Sequence, residues 1–400
     1  MSRFARKQDE GVEQRVTSLE LFYDLVFVFA VTQVSHLLLD DVSWRGAAKA
    51  SLVLLVVWWA WNYTTWVTNE LDLGSTIVRL VLIVLMLLSL LMAVAIPDAF
   101  GERALLFAGA YVAIQVGRHA FLAFATADRG SLERSRAVRI LTWFAVAGVF
   151  WIAGALVDGW LRPALWLLAL AIDYAAPSVL YWLPGLPRLT HQTWEVESHH
   201  FAERFELFVI IALGESIVLT GAVTADLDLD LATLTAFAVA FASSAALWWL
   251  YFDFVARIAG RRLELAEETT RLARDGYTYL HAVIVAGVIA SAVGNDLVIA
   301  HATDELPTAE LAVVVGGPAL YLLGHVLFRL RMAGSLSWKR LLGAAGCLAV
   351  AAVGAFAPAL VVAVLLVAVL ATVIGAERAA ARHRRERGDP SPLERIEARA

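Results

Sequence analysis

Cysteine, lysine and charge are all scarce in this chain. A single cysteine, Cys347, stands in an apolar run, so no intrachain disulfide is available to hold the fold. Lys7, Lys49 and Lys339 are the only lysines among 32 basic residues, and charged side chains make up 17% of the 400 residues. The zinc-protease HExxH, paired CxxC, the phosphate-binding P-loop and the GxSxG elbow are missing too, which argues against the commoner enzyme classes. The N-terminus is polar through Ser18 and the first apolar run is long, unlike a cleavable signal peptide. What remains is apolar: 60% of residues are hydrophobic and the mean hydropathy is +0.70. Water-soluble cores stop growing and split into domains before they hide that much surface.

The composition therefore predicts an all-α integral membrane protein, because backbone polar groups in lipid must be satisfied within helices. Apolar runs between charged punctuation give about twelve transmembrane helices. In round terms they are Leu19–Leu39, Gly46–Val67, Ile77–Ile96, Leu105–Thr126, Val138–Val157, Ala164–Leu183, Phe201–Ala222, Leu231–Phe252, Tyr277–Ala300, Leu311–Leu330, Trp338–Phe356 and Ala359–Ala376. The net charge of −5 matters less than its sorting. Arginines gather in alternate loops (Arg134, Arg136 and Arg139, then Arg257 to Arg274), whereas the loops with Asp226, Asp228 and Asp230 or with Asp304 and Glu305 carry no basic residue. This positive-inside pattern puts both termini in the cytoplasm. The basic loops and the Arg-rich tail suit anionic membrane lipid and not nucleic acid.

An internal repeat is also expected. Glu206-Leu207-Phe208 echoes Glu20-Leu21-Phe22, and six spans separate the two, which makes the halves parallel. Trp248-Trp249 with Asp253 echoes Trp58-Trp59 with Asn62. Asn295-Asp296 answers Pro97-Asp98, and Gly324-His325 answers Gly117-Arg118-His119. The divisions are a cytoplasmic segment 1–18, a first six-helix half 19–183 and a linker 184–200 with room for an amphipathic helix. A second half 201–376 and a cytoplasmic tail 377–400 complete the chain.

Two stretches carry most of the specificity. One is Leu19-Glu20-Leu21-Phe22-Tyr23-Asp24-Leu25-Val26-Phe27-Val28, followed by His36. The other runs from His200-Phe201-Ala202-Glu203-Arg204-Phe205-Glu206-Leu207-Phe208 to Leu213-Gly214-Glu215-Ser216. Both resemble the bacterial low temperature requirement A family, and chain length and span count fit it as well. The resemblance implies a multipass membrane protein connected with growth in the cold. It brings no settled activity, cofactor or catalytic set.

Candidate residues follow from the cost of polar groups in hydrocarbon, roughly 2.5–3.5 kcal/mol for a carboxylate on insertion scales. Glu20 and Asp24 are four apart, on one helix face, and suit a proton- or cation-coupled site; the competing reading leaves Glu20 hydrated at a helix start. Glu203 and Glu206 repeat the entrance position. Glu215, at mid-depth between Gly214 and Ser216, is the first choice for function. Arg118, beside His119, stays charged and calls for an acid within reach, with Asp24 and Glu215 the nearest in character. Asp173 lies four residues before Pro177, where an opened helix can help hold an ion, or where a kink leaves a locally satisfied acid. His281 and His325 suit proton relay or plain structure. His191, Glu195, His199 and Glu203 fall every four residues and would form one column if helical. That column would serve as a metal site or, more simply, a solvated Glu–His face.

Two function classes stay open on this reading: a transporter or ion pathway for an unknown ion or small molecule, and a membrane-embedded, possibly metal-dependent enzyme acting on a lipid or envelope precursor. A stress-response scaffold would leave the buried charges unexplained.

Overall fold

The computed structural model describes residues 16–126, 130–190, 194 and 196–398. Every regular element among them is helical. The helices are α1 (Ser18–Leu39), α2 (Trp44–Glu70), α3 (Thr76–Ala95), α4 (Ala104–Phe121), α5 (Leu132–Ala155), α6 (Leu161–Ala175), α7 (Ser198–Ala225) and α8 (Leu231–Tyr251). Then follow α9 (Arg257–Glu264), α10 (Thr269–Leu272), α11 (His281–Ala300), α12 (Thr308–Ala333), α13 (Trp338–Gly354), α14 (Ala359–Glu386) and α15 (Pro392–Glu397). Widened, π-type turns extend α4 at Leu122–Thr126 and join α10 to α11 at Ala273–Leu280.

Nine helices among the described residues are long and apolar enough to cross a bilayer: α1, α3, α4, α5, α7, α8, α11 with its lead-in, α12 and α14. Three of the expected twelve fall short of that standard. Helix α6 has 15 residues and α13 has 17, below the roughly 20 that span a bilayer. Helix α2 has 27, but Trp58, Trp59, Trp61, Asn62, Thr64 and Thr65 dilute its apolar character. Expected to continue to Leu183, the sixth span stops at Ala175, because Pro177 brings no N–H to the helical ladder. The proline thus ends the helix instead of opening its middle. Beyond it Leu180 and Tyr181 turn the chain at φ of 52° and 51°, a left-handed geometry that side chains disfavour.

Helix α1 shows why these elements suit lipid. Its exposed face carries Phe22 and Leu25, 57% and 62% accessible, while Glu20 and Asp24 on the other face are 1% and 2% accessible. A helix in water would turn these the other way. Helix α7 repeats the inversion, with Ile210, Ile217 and Val218 outward and Arg204, Glu215 and Ser216 buried.

Cα packing divides the chain into two compact units: Met1–Val34 with Ser51–Phe201, and Ser35–Ala50 with Ala202–Ala400. In the first, α3, α4, α5 and α6 pack as consecutive neighbours. Its core is aromatic: Trp151 and Trp166 meet at 5.6 Å between ring centroids, and Trp59 stacks on Tyr174 at 3.8 Å. In the second, α11 lies tightly on α12, and α8, α13 and α14 pack together. Glycine sets that closeness. A Cβ at Gly287 would lie 2.4 Å from the Tyr321 nitrogen, and one at Gly317 would lie 2.5 Å from the Ser291 nitrogen. Small residues at crossings of this kind let helix backbones approach.

Candidate functional site

In the first unit the polar side chains of α1 turn inward and find partners on α2 and at the start of α7. The Glu20 carboxylate accepts from the Thr17 backbone N–H at 3.0 Å and from its hydroxyl at 2.9 Å. The His200 imidazole reaches it from the other side, with Nε2 3.0 Å from Oε1. His200 is itself fixed. Its Nδ1 lies 3.1 Å from the Asn69 amide, its backbone N–H donates to Glu197 at 2.6 Å, and Asn69 also ties the Glu197 backbone at both N–H and carbonyl. With Glu20 at 1% and His200 at 0% accessibility, the hydrated reading of Glu20 does not apply.

One turn further on, Asp24 accepts from the indole N–H of Trp61 at 2.8 Å. Tyr23 donates to the Thr64 hydroxyl at 2.8 Å, and Thr64 donates to the Ala60 carbonyl. Thr64 also receives Arg118, which donates to its hydroxyl at 2.8 Å, to the Ala60 carbonyl at 3.2 Å and to the Gln115 side-chain oxygen. The guanidinium stands 5.5 Å from the centre of the Tyr63 ring, and Tyr63 and Tyr181 share a hydrogen bond between hydroxyls. Arg118 is buried as expected, but the expected ion pair is not what holds it. Its partners are neutral oxygens, and no carboxylate among the described residues lies within 4.0 Å of it. His119 donates or accepts locally, with Nδ1 2.9 Å from the Gln115 carbonyl, and packs against Phe144.

Asp173 sits in an aromatic box. Its Oδ2 accepts from the Tyr111 hydroxyl at 2.8 Å and from the Trp151 indole at 3.0 Å, while Oδ1 is buried without a hydrogen-bond partner. Tyr111, Gln115 and Arg118 fall on one face of α4 by their spacing of four and three. Asp173, on α6, is thus tied through Tyr111 to the α4 face that carries Arg118 but does not touch Arg118 itself.

The second unit holds Glu206, Glu215 and Ser216. Glu215 is fully buried, and the Ser216 hydroxyl pairs with Ser244 of α8 at 2.7 Å. Thr220 and Thr224 return their hydroxyls to the carbonyls four residues back. Gly214 does not mark a close helix crossing, since a Cβ there would meet no described atom within 4 Å. Glu206 is half-buried within electrostatic reach of Tyr251 and Tyr277. Tyr251 bonds His281 Nε2 at 2.8 Å, and the Tyr277 ring stacks on that imidazole at 4.8 Å. His325 is packed on Tyr321 at 4.5 Å with neither ring nitrogen hydrogen-bonded.

The four-residue column is not seen as one helix. His191 and Glu195 lie outside the described residues, and α7 begins only at Ser198. His199 and Glu203 are half-buried on it. Among the described residues no group of three or more His, Cys, Asp and Glu could hold a metal ion.

Several partners were not singled out from sequence: His200, Asn69, Gln115, Tyr111 and Trp151. Gln115 and Tyr111 had a signal, because a polar group three or seven residues before an intramembrane arginine shares its face. His200 opens the second stretch that resembles the family yet is outranked there by the acids that follow. Asn69 offered no local signal, since its role depends on a partner 131 residues away.

Inverted helices with buried acids define a multipass membrane protein. The profile of the bacterial low temperature requirement A protein (LtrA) family matches residues 15–375, and the chain belongs to that family. An uncharacterised protein of Rhizobium meliloti strain 1021 is 39% identical over 318 residues, covering 79% of this chain and 77% of that one. No solved structure matches.

Proposed function

We propose that this LtrA-family protein is a transporter or ion pathway of the bacterial inner membrane. It would cross the bilayer about twelve times, α2, α6 and α13 adding to the nine long spans, with both termini in the cytoplasm. Two parallel six-helix repeats would frame the pathway. Its candidate working residues are Glu20, Asp24, Arg118, His119 and Asp173 in the first unit and Glu203, Glu206, Glu215 and Ser216 in the second.

The observation that supports this most is the buried Glu20–His200 pair. A carboxylate and an imidazole in contact and shut off from water form a polar centre whose electrostatics respond to any ion or charge that arrives nearby. A static scaffold gains little from such a pair, because desolvating the acid costs more than an apolar contact would. The same logic applies to Glu215, which sits at 0% accessibility in an apolar helix.

Flux screening in proteoliposomes across protons, alkali cations, halides and small solutes tests the reading. Glu20→Gln and Glu215→Gln keep shape and hydrogen bonding but remove titration. Both are expected to insert normally and to lose at least tenfold in flux. Wild-type flux no greater than empty liposomes for every solute would sink the proposal, and normal flux in both variants would remove the carboxylates from it.

A further inference from the structure

Arginine does not lose its proton inside a protein, so a buried guanidinium carries a full charge that something must balance. Arg118 is 1% accessible, and no carboxylate among the described residues lies within 4.0 Å of it. Its three hydrogen bonds go to Thr64, the Ala60 carbonyl and Gln115, all neutral, and its Nε is buried without an acceptor. Asp173 is attached to the same helix through Tyr111, but seven residues away, about 10 Å along the axis at the helical rise. Asp24 is committed to the Trp61 indole. Neutral dipoles and the face of Tyr63 soften the charge without cancelling it.

We infer that Arg118 is the binding point for a small monovalent inorganic anion, taken between its Nε and the neighbouring hydroxyls. Arg118 Nε is a buried donor with an N–H left over in the guanidinium plane, which anions accept, and it lies beside Thr64, Tyr63 and Gln115. A cation would meet the uncancelled charge and be repelled. The inference deepens the transport reading by naming the class of ion that the first unit takes, as cargo or as co-ion.

The test is binding, not flux. Purified full-length protein in a gluconate buffer is titrated with chloride and, separately, nitrate, followed by melting temperature and by the ³⁵Cl line width. Saturable stabilisation and line broadening are expected, both abolished in Arg118→Met and weakened at least tenfold in Arg118→Lys, which keeps the charge but loses the planar fork. Gln115→Ala frees one guanidinium N–H and is expected to tighten binding; it serves if the Met variant fails to fold. No saturable response in the wild type, or an equal response in Arg118→Met, overturns the inference. Gln115→Ala binding no tighter than wild type does the same. Cation flux that depends on Glu20 without anion binding would leave the transport reading standing and this one fallen. Anion binding without any flux would do the reverse.

Discussion

Each unit buries arginines, and two of them, Arg340 and Arg118, are held in opposite ways. Arg340 of the second unit meets Glu377 through two bonds, Nε to Oε1 at 2.8 Å and a terminal nitrogen to Oε2 at 2.9 Å, and adds the Leu250 carbonyl at 2.9 Å. Arg118 of the first has neutral partners alone. The first arrangement closes its electrostatics within the protein. The second has no acid among its described partners, and on the inference drawn above that charge is answered by a bound anion, whereas Arg340 joins two helices.

The largest effect expected from breaking this contrast is at the closed pair. Arg340→Met strands the Glu377 carboxylate, and removing one member of a buried pair costs about 3–5 kcal/mol. A large fall in melting temperature is expected, with most of it recovered in the double variant Arg340→Met/Glu377→Leu. Equal stability in the single and double variants would mean that the pair is solvated and that the contrast with Arg118 is false.

Next come two glycines that the expected repeat would equate. Gly324 and Gly117 stand in corresponding echoes, yet a Cβ at Gly324 would lie 3.0 Å from Ile284, and one at Gly117 would meet no described atom within 4 Å. Gly324→Ala is expected to destabilise by about 1–3 kcal/mol through overpacking. Gly117→Ala should be neutral or stabilising by up to about 1 kcal/mol from helix propensity. Thermal melts of the two purified variants decide, and a matching loss in both would restore a shared packing role.

Arg118→Met should cost about 1 kcal/mol, well short of the loss in Arg340→Met, because it strands one neutral acceptor and no carboxylate. Thr64 keeps Tyr23 and Ala60, and the Gln115 oxygen is the acceptor that loses its donor. A loss as large as that of Arg340→Met, in anion-free buffer, would show that an acid pairs with Arg118.

These comparisons also show what the sequence could carry. The class was legible from hydropathy alone, and spacing placed Glu20 and Asp24 on one helix face, with the burial of Glu20 left open until the structure showed it. The partner of Arg118 was misjudged because the reasoning weighed charge against charge. Asn, Gln, Thr and backbone carbonyls can together hold a guanidinium, and nothing local in the sequence marks Thr64 as one of them. Likewise α6 was read through Pro177, since the apolar run continues to Leu183 and hydropathy does not see a missing N–H. His200 was visible as a residue but not as a partner, for its acid is 180 residues away.

The smallest expected effect concerns helix starts, where the two units again differ. Helix α5 of the first unit is capped by the Ser131 hydroxyl, which accepts from the Arg134 N–H at 3.1 Å. Helix α8 of the second is capped by Asp230, whose carboxylate accepts from the Thr233 N–H at 2.8 Å. Only the second cap can titrate. The Thr233 N–H holds the Asp230 carboxyl below its ordinary value. The sign follows from that direction: the cap contributes fully above the unfolded value near 3.9 and is lost as pH falls through the lower folded value. Amide exchange at Thr233 to Thr235, corrected for intrinsic rate, should therefore quicken between pH 6 and pH 3, while Arg134 and Ser135 stay unchanged. Asp230→Asn keeps an acceptor without a titration and should flatten the pH dependence. A pH dependence that survives in Asp230→Asn would place its origin elsewhere, and equal sensitivity at Arg134 would erase the difference between the two caps.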